Sequence, residues 1–284
     1  MKIGVMVESF RAGLHEGLRK AKEVGADGVQ IYATHGDLTA AWTSQQRSDL
    51  VKELKSLGLE LSALCGDFGG HGFAVAAENP ERIEKSKRVL DLAIDLGTKV
   101  VTTHIGAVPK DKKNPRYDAM RAACNELAAY GDKIGASFAV ETGPERAAAL
   151  REFLDSLSAR GVKVNFDPAN LVMVTHDDPV KGVDTLKNYI VHTHAKDGVH
   201  KKDIDAEEVY GAFADGNKKK IKFSDYFGEV PLGEGEVKWP AYIKALKKIG
   251  FKGFLTVERE VGKDPAADIK KAVDFLRSLG VSSA

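Results

Sequence analysis

Ser137-Phe138-Ala139-Val140-Glu141-Thr142, a helix-like stretch over Glu145–Ala159, Gly161, and then Val162-Lys163-Val164-Asn165-Phe166-Asp167 make up one β–α–β unit of about thirty residues. A helix between two β-branched runs returns the chain to the start of the sheet, so the two strands must pair in parallel. Outward in both directions the unit recurs. Candidate strands lie at Lys2–Glu8, Gly28–Ala33, Leu59–Asp67, Lys99–Gly106, Tyr189–Asp197 and Gly253–Glu260. Helix-like stretches at Leu14–Val24, Ser44–Leu57, Pro80–Leu96, Tyr117–Ile134 and Trp239–Ile249 fill most of the intervals. Gly25, Gly58, Gly97, Gly135, Gly161, Gly250 and Gly280 stand where a left-handed cap would end a helix. Eight strands alternating with helices predict an α/β chain closed into a single (β/α)8 barrel over 1–284. The rhythm breaks between the seventh and eighth strands. There about 198–237 holds a helix-like piece (Ala206–Ala214), Lys218-Lys219-Lys220 and Pro231-Leu232-Gly233-Glu234-Gly235, which reads as a lid-like insertion.

Forty-two Lys and Arg against 41 Asp and Glu leave a net charge of +1, too little basic excess for a protein that grips phosphate backbones or anionic lipid. No apolar run approaches the roughly 18 residues of a membrane span, and Glu8 comes too early for a signal-peptide core. Cys65 and Cys124 form no C-x-x-C, which speaks against a disulfide framework and for a reducing, cytoplasmic setting.

Alternation along a strand sorts its side chains to two faces. Val140, Val164 and Phe166, Val191 and Thr193, and Leu255 and Val257 form the mainly apolar set expected to meet the outer helices. The opposite set holds Glu141, Asn165 and Asp167, His192, His194 and Lys196, and Thr256, Glu258 and Glu260. Singly, Glu141 could cap a helix, Asp167 could form a turn before Pro168, and His194 could be a satisfied core histidine. Together at four successive strand ends they would cost several kcal/mol each if left unpaired. A divalent cation removes that cost, and three carboxylates with one imidazole suit a hard, octahedral-tolerant ion with open positions for substrate oxygens. Mn²⁺ is the expected ion, with Mg²⁺, Co²⁺ or Zn²⁺ as alternatives. His71, His104, His192, His194 and His200 gather at the same rim, while His176 in the loop after the sixth strand reads equally as a plain loop residue.

Val140-Glu141-Thr142, Asn165-Phe166-Asp167-Pro168-Ala169-Asn170, His192-Thr193-His194-Ala195-Lys196-Asp197, Pro231-Leu232-Gly233-Glu234-Gly235 and Thr256-Val257-Glu258-Arg259-Glu260 resemble the xylose isomerase-like TIM barrel superfamily. The nearest likeness is to its sugar phosphate isomerase/epimerase branch, which includes ketose 3-epimerases and inosose-processing enzymes. The resemblance implies that Glu141, Asp167, His194 and Glu258 bind the metal and that Glu141 and Glu258 also exchange the substrate proton. Two positions depart from the epimerases: Asn170 stands for a histidine and His200 for an arginine.

The reading that follows is a metal-dependent sugar or sugar-phosphate isomerase or epimerase that moves a proton next to a carbonyl through a metal-stabilised enediolate. His71, His104, Asn170, His192, Lys196 and His200 are the expected substrate contacts, although Lys196 could instead pair with Glu260. The glycines at 69, 70, 72, 233 and 235 could offer N–H groups to a phosphate or simply make turns. The alternative activity is a dehydratase or lyase on an inosose or keto-sugar. More remote are a non-catalytic sugar-binding barrel and an abasic-site endonuclease; Asn170 and Phe227-Gly228-Glu229 lack the extra metal ligands of the latter. From the resemblance, the partner is a small sugar and the assembly a homodimer or homotetramer, with neither nucleic acid nor membrane involved.

Overall fold

Parallel hydrogen bonding closes eight strands into a ring in a computed structural model that describes residues 1–282. In chain order the strands are β1 (Lys2–Met6), β2 (Gly28–Tyr32), β3 (Glu60–Cys65), β4 (Val100–Thr103), β5 (Ser137–Glu141), β6 (Val162–Phe166), β7 (Ile190–Ala195), β8 (Asp197–His200), β9 (Phe227–Val230) and β10 (Phe254–Val257). The ring runs β1-β10-β7-β6-β5-β4-β3-β2, and β8 and β9 form a separate antiparallel pair. All eight expected strands are present, each shorter than its apolar run because the last residues of the run turn out of the ladder.

The helices are α1 (Leu14–Glu23), α2 (Ser44–Leu57), α3 (Asn79–Leu96), α4 (Pro115–Ile134), α5 (Ala147–Asp155), a short α6 (Pro168–Asn170), α7 (Pro179–Leu186), α8 (Ala206–Ala214), α9 (Trp239–Lys248) and α10 (Pro265–Ser278), with α6 and α8 at the cavity end of the ring. Their starts follow local chemistry. Thr43 and Gln46 form a capping box on α2, and Asn114, Asp178 and Asp264 accept backbone N–H bonds at α4, α7 and α10. Phe138, Val140, Val164, Phe166, Leu255 and Val257 are buried in the main core between ring and helices, as alternation predicts.

Four expectations need correction. Six of the seven cap glycines are left-handed, but Gly161 is not. A Cβ there would lie 2.2 Å from the Ala128 carbonyl oxygen and 2.8 Å from Asp132 N, so Gly161 is required by the close approach of α4 instead. The helix expected over Glu145–Ala159 is only α5, Ala147–Asp155, and Glu145 lies buried ahead of it. The short α7 lies in a stretch where no helix was expected, whereas α10 is the helix that Gly280 was expected to end. Finally, the excursion between β7 and β10 is more ordered than one helix: β8 and β9 pair over Asp197–His200 and Phe227–Val230. Beneath it a second apolar cluster of Ala169, Met173, Val174 and Val209 receives Tyr210, Phe223 and Phe227.

Candidate metal centre and cavity

Glu141 ends β5, Asp167 follows β6, His194 lies in β7 and Glu258 follows β10, so successive parallel strands deliver all four to one end of the ring. One ligand-type atom from each lies within 4.8 Å of the other three, and all four residues are buried. His194 Nδ1 is 3.3 Å from Glu258 Oε2, 3.4 Å from Glu141 Oε2 and 3.8 Å from Asp167 Oδ2. Asp167 Oδ1 accepts the Ala169 and Asn170 N–H groups at 2.7 and 3.1 Å, whereas its Oδ2 is buried with no hydrogen-bond partner among the described residues. A carboxylate oxygen left bare between two further acids and an imidazole is what a divalent cation satisfies, and the oxygen-rich set fits a hard ion.

The surrounding amides aim these groups. Gln30 donates its amide to the Thr102 hydroxyl at 2.9 Å, which turns its carbonyl toward His194 Nε2 at 3.2 Å. A carbonyl only accepts, so Nε2 carries hydrogen and Nδ1 faces the acids. Asn165 Nδ2 donates to Glu141 Oε2 at 3.0 Å, and Asn170 Nδ2 to Oε1 at 3.0 Å. Burial opposes an imidazolium at His194, but the Glu258 and Glu141 charges outweigh it and hold its pKa well above the ordinary histidine value. A bound dication would take that proton's place. Burial likewise opposes charge on Glu258, and Lys196 and His194 overcome it, holding the carboxyl well below the usual range.

A cavity of about 650 Å³ opens onto this cluster, with His71, His104, Asn170 and Lys196 on its walls beside Glu141, His194 and Glu258. His104 Nδ1 lies 3.0 Å from Asp67 Oδ2, and its Nε2 3.8 Å from Glu141 Oε1. Burial disfavours its charged form, yet Glu141 and Asp67 raise its pKa to about 10. Lys196 Nζ is held by Glu258 at 3.1 Å and by Glu260, the pairing that its sequence position left open. His71 Nε2 meets Asp215 Oδ1 at 3.1 Å across from the end of α8.

Two expected substrate contacts lie elsewhere. His192 is buried behind the cluster, with Nδ1 2.9 Å from Asn165 Oδ1 and Nε2 3.0 Å from the Thr256 hydroxyl, and it is absent from the cavity wall. Burial, then its neighbour His194, holds its pKa well below the ordinary value. His200 points away from the cavity, toward the Met173 carbonyl and Asp203. Two of the five glycines that could have offered N–H groups to a phosphate donate them within the protein. Gly233 N donates to Asp197 Oδ2 at 2.9 Å, and Asp197 further accepts from Gly198, Val237 and the Trp239 indole. Gly69 N donates to Asp67.

Gln30, Asp67 and Tyr210 also stand at the site, outside the set expected from sequence. Gln30 has the inward parity of β2 and Asp67 the position just past β3, both visible in sequence, whereas Tyr210 comes from α8 in the excursion, where no ring position is implied.

A closed eight-stranded parallel barrel carries a buried acid and histidine cluster at its strand ends that could hold a metal ion. The chain belongs to the xylose isomerase-like TIM barrel family, whose sequence profile matches residues 18–279. It is similar in structure to a xylose isomerase domain protein from Planctomyces limnophilus, at 25% identity and TM-score 0.77 over 98% of this chain and 96% of that one. A D-tagatose 3-epimerase-like protein shares the fold at 19% identity and TM-score 0.74, over 99% and 98% of the two chains. The probable 3-DHS dehydratase AsbF from Bacillus anthracis does so at 20% and 0.75, over 98% and 99%. No curated protein matches the chain by sequence. No helix among the described residues is long and apolar enough to cross a membrane.

Proposed function

We propose that this protein is a divalent-metal-dependent isomerase or epimerase that moves a proton on a carbon next to the carbonyl of a small sugar. The observation that carries the reading is the pair Glu141 and Glu258. They come from β5 and β10, separated around the ring by β6 and β7, and both reach the one atom His194 Nδ1 at the cavity floor. Two carboxylates flanking one point can remove a proton and return it from the other side. A cation held by Glu141, Asp167, His194 and Glu258 would supply Lewis-acid polarisation of the carbonyl oxygen. Lys196 keeps Glu258 ionised and therefore able to accept a proton, while Asn165 and Asn170 hold both oxygens of Glu141 in place. The cavity's Lys196 and Arg116 are already paired, with Glu258 and Glu260 and with Glu207, which favours an uncharged sugar over a sugar phosphate.

One observation favours a second reading. His104, backed by Asp67 and with its pKa raised to about 10, is an acid on the cavity wall able to give a proton to a departing hydroxyl. That is the chemistry of a dehydratase, and the Bacillus anthracis neighbour is described as a probable dehydratase.

The test is NMR and mass spectrometry of a ketose and inosose panel incubated in D₂O with enzyme and Mn²⁺. Deuterium should enter a carbon next to the carbonyl without loss of mass as water. Glu141→Gln and Glu258→Gln should each slow that exchange by about 10²-fold or more. A product lighter by one water would establish the dehydratase reading instead, and absence of exchange across the whole panel would overturn proton transfer on free sugars.

A further inference from the structure

The wall of the cavity changes character between its acidic floor and its mouth. Among the described residues the two most exposed large apolar side chains are Phe213 on α8 and Val261 beyond β10, 56% and 47% exposed, and both line this cavity. We infer that the substrate is a keto-sugar carrying a second, uncharged ring, and that this ring stacks against Phe213, with Phe227 beside it. The keto-sugar half of that ligand rests on the proton transfer proposed above, whereas the second ring rests on the cavity wall alone.

Tyr210 and Phe213 stand three apart on α8 and so share one face of the helix. The Tyr210 ring centroid is 6.0 Å from that of His104, whose Nε2 is 3.8 Å from Glu141 Oε1, and 6.2 Å from that of Phe213. A sugar ring held with its carbonyl at the acids spans the first of these steps, and the next ring along the molecule arrives at Phe213. Phe213 stacks on Phe223 with centroids 4.5 Å apart and planes at 28°, and Phe223 stacks on Phe227 at 5.9 Å and 27°. Neighbouring rings therefore hold the exposed one in place, and little freedom is lost when a ligand covers it.

The space in front of α8 is open. The cavity's volume of about 650 Å³ falls within the range of about 300–1,000 Å³ that takes drug-sized ligands, and a lone sugar would leave much of it to water. Gly211, between the two aromatics, lines the cavity, and a Cβ there would meet no atom within 4 Å. Glycine inside a helix costs stability relative to alanine, and no left-handed φ requires one at this position. The charged groups on the same wall are already matched, Arg116 with Glu207 at 3.0 Å and His71 with Asp215 at 3.1 Å, which leaves the second ring uncharged. Phenylalanine offers no hydrogen bond and recognises a flat apolar face, which an aryl group and the C–H face of a second sugar both present.

Calorimetric titration and saturation-transfer NMR of the Mn²⁺-loaded protein with methyl β-D-glucoside, phenyl β-D-glucoside and cellobiose read the second ring without turnover. Phenyl glucoside should bind about 10-fold or more tightly than methyl glucoside; the same advantage in cellobiose alone would identify the ring as a sugar. Phe213→Ala should bring the ratio of two-ring to methyl affinity close to one, and Phe213→Tyr should restore it. Gly211→Leu, which fills the open space with a good helix former, should abolish it. Ile94→Ala, an exposed apolar truncation on the outer helix α3, should leave the ratio as in wild type. No advantage of either two-ring ligand over methyl glucoside overturns the inference, and a lower sedimentation mass in Phe213→Ala would then assign the exposed rings to an interface between copies of this chain. A Phe213-dependent advantage without deuterium exchange into the 2-, 3- or 4-keto forms of phenyl glucoside would keep the second-ring site and overturn the proton-transfer reading instead.

Discussion

Gln30 stands across the ring from the acids, on β2, yet it decides which nitrogen of His194 faces them. Gln30→Leu keeps the bulk and removes the acceptor, so His194 is free to turn. Metal affinity should fall by about 10–100-fold, the usual cost of losing such a partner, with the circular dichroism spectrum unchanged; calorimetric titration of Mn²⁺ into both proteins reads it. An affinity equal to wild type would show that packing alone orients the ring. The four clustered residues were legible because strand alternation sorts side chains: once β5, β6, β7 and β10 are recognised, Glu141, Asp167, His194 and Glu258 share a face. The same rule put His192 on that face but not at the right depth. It lies two residues before His194, hence one layer further down the barrel, where Asn165 and Thr256 occupy both its nitrogens. Periodicity gives direction, and depth depends on where each strand meets the rim.

At the scale of elements, the excursion between β7 and β10 is held by a few buried polar anchors. Arg259, just past β10, pairs with Glu229 on β9 and with Asp268 on α10, and the Arg259 and Glu229 side chains are 9% and 7% exposed. Such a buried pair is expensive to break from one side, because the surviving charge has no water to turn to. Arg259→Ala should therefore destabilise the chain by about 3–5 kcal/mol in urea titrations. The double variant Arg259→Met/Glu229→Leu, which removes both charges, should recover much of that loss. If the single and double variants unfold at the same urea concentration, the stranded charge is not the cause. None of this was readable beforehand. The strands of the ring announce themselves by β-branched alternation and glycine-ended helices. Phe227-Gly228-Glu229-Val230 carries no such pattern and becomes a strand only because β8 lies antiparallel to it. The eight residues of α7 are likewise too few for a helical period to stand out against the loop around them.

For the whole molecule, the balance of charge near neutrality conceals two acids, Glu8 and Glu145, whose ionisation burial pushes up to about 7 and 8. Each leaves one carboxyl oxygen buried without a partner among the described residues. Neither is among the four clustered ligands. In the unfolded chain both would ionise near the ordinary glutamate value of about 4.3. Above that pH the unfolded state binds fewer protons than the native state, so stability falls as pH rises. For Glu145 the favourable contribution is complete below about pH 4 and is lost progressively until pH passes about 8, after which it no longer changes. Glutamine has nearly the same shape and no proton to lose. Glu145→Gln should therefore match wild type in melting temperature near pH 4–5, melt progressively higher than wild type as pH rises toward 8, and keep a constant advantage beyond. Thermal unfolding across that range, with a chelator present so that pH-dependent metal binding does not enter, measures the difference. Parallel curves at every pH would mean that Glu145 is ionised in the native protein, with its charge compensated where it lies between Val108 N and the neighbouring His104.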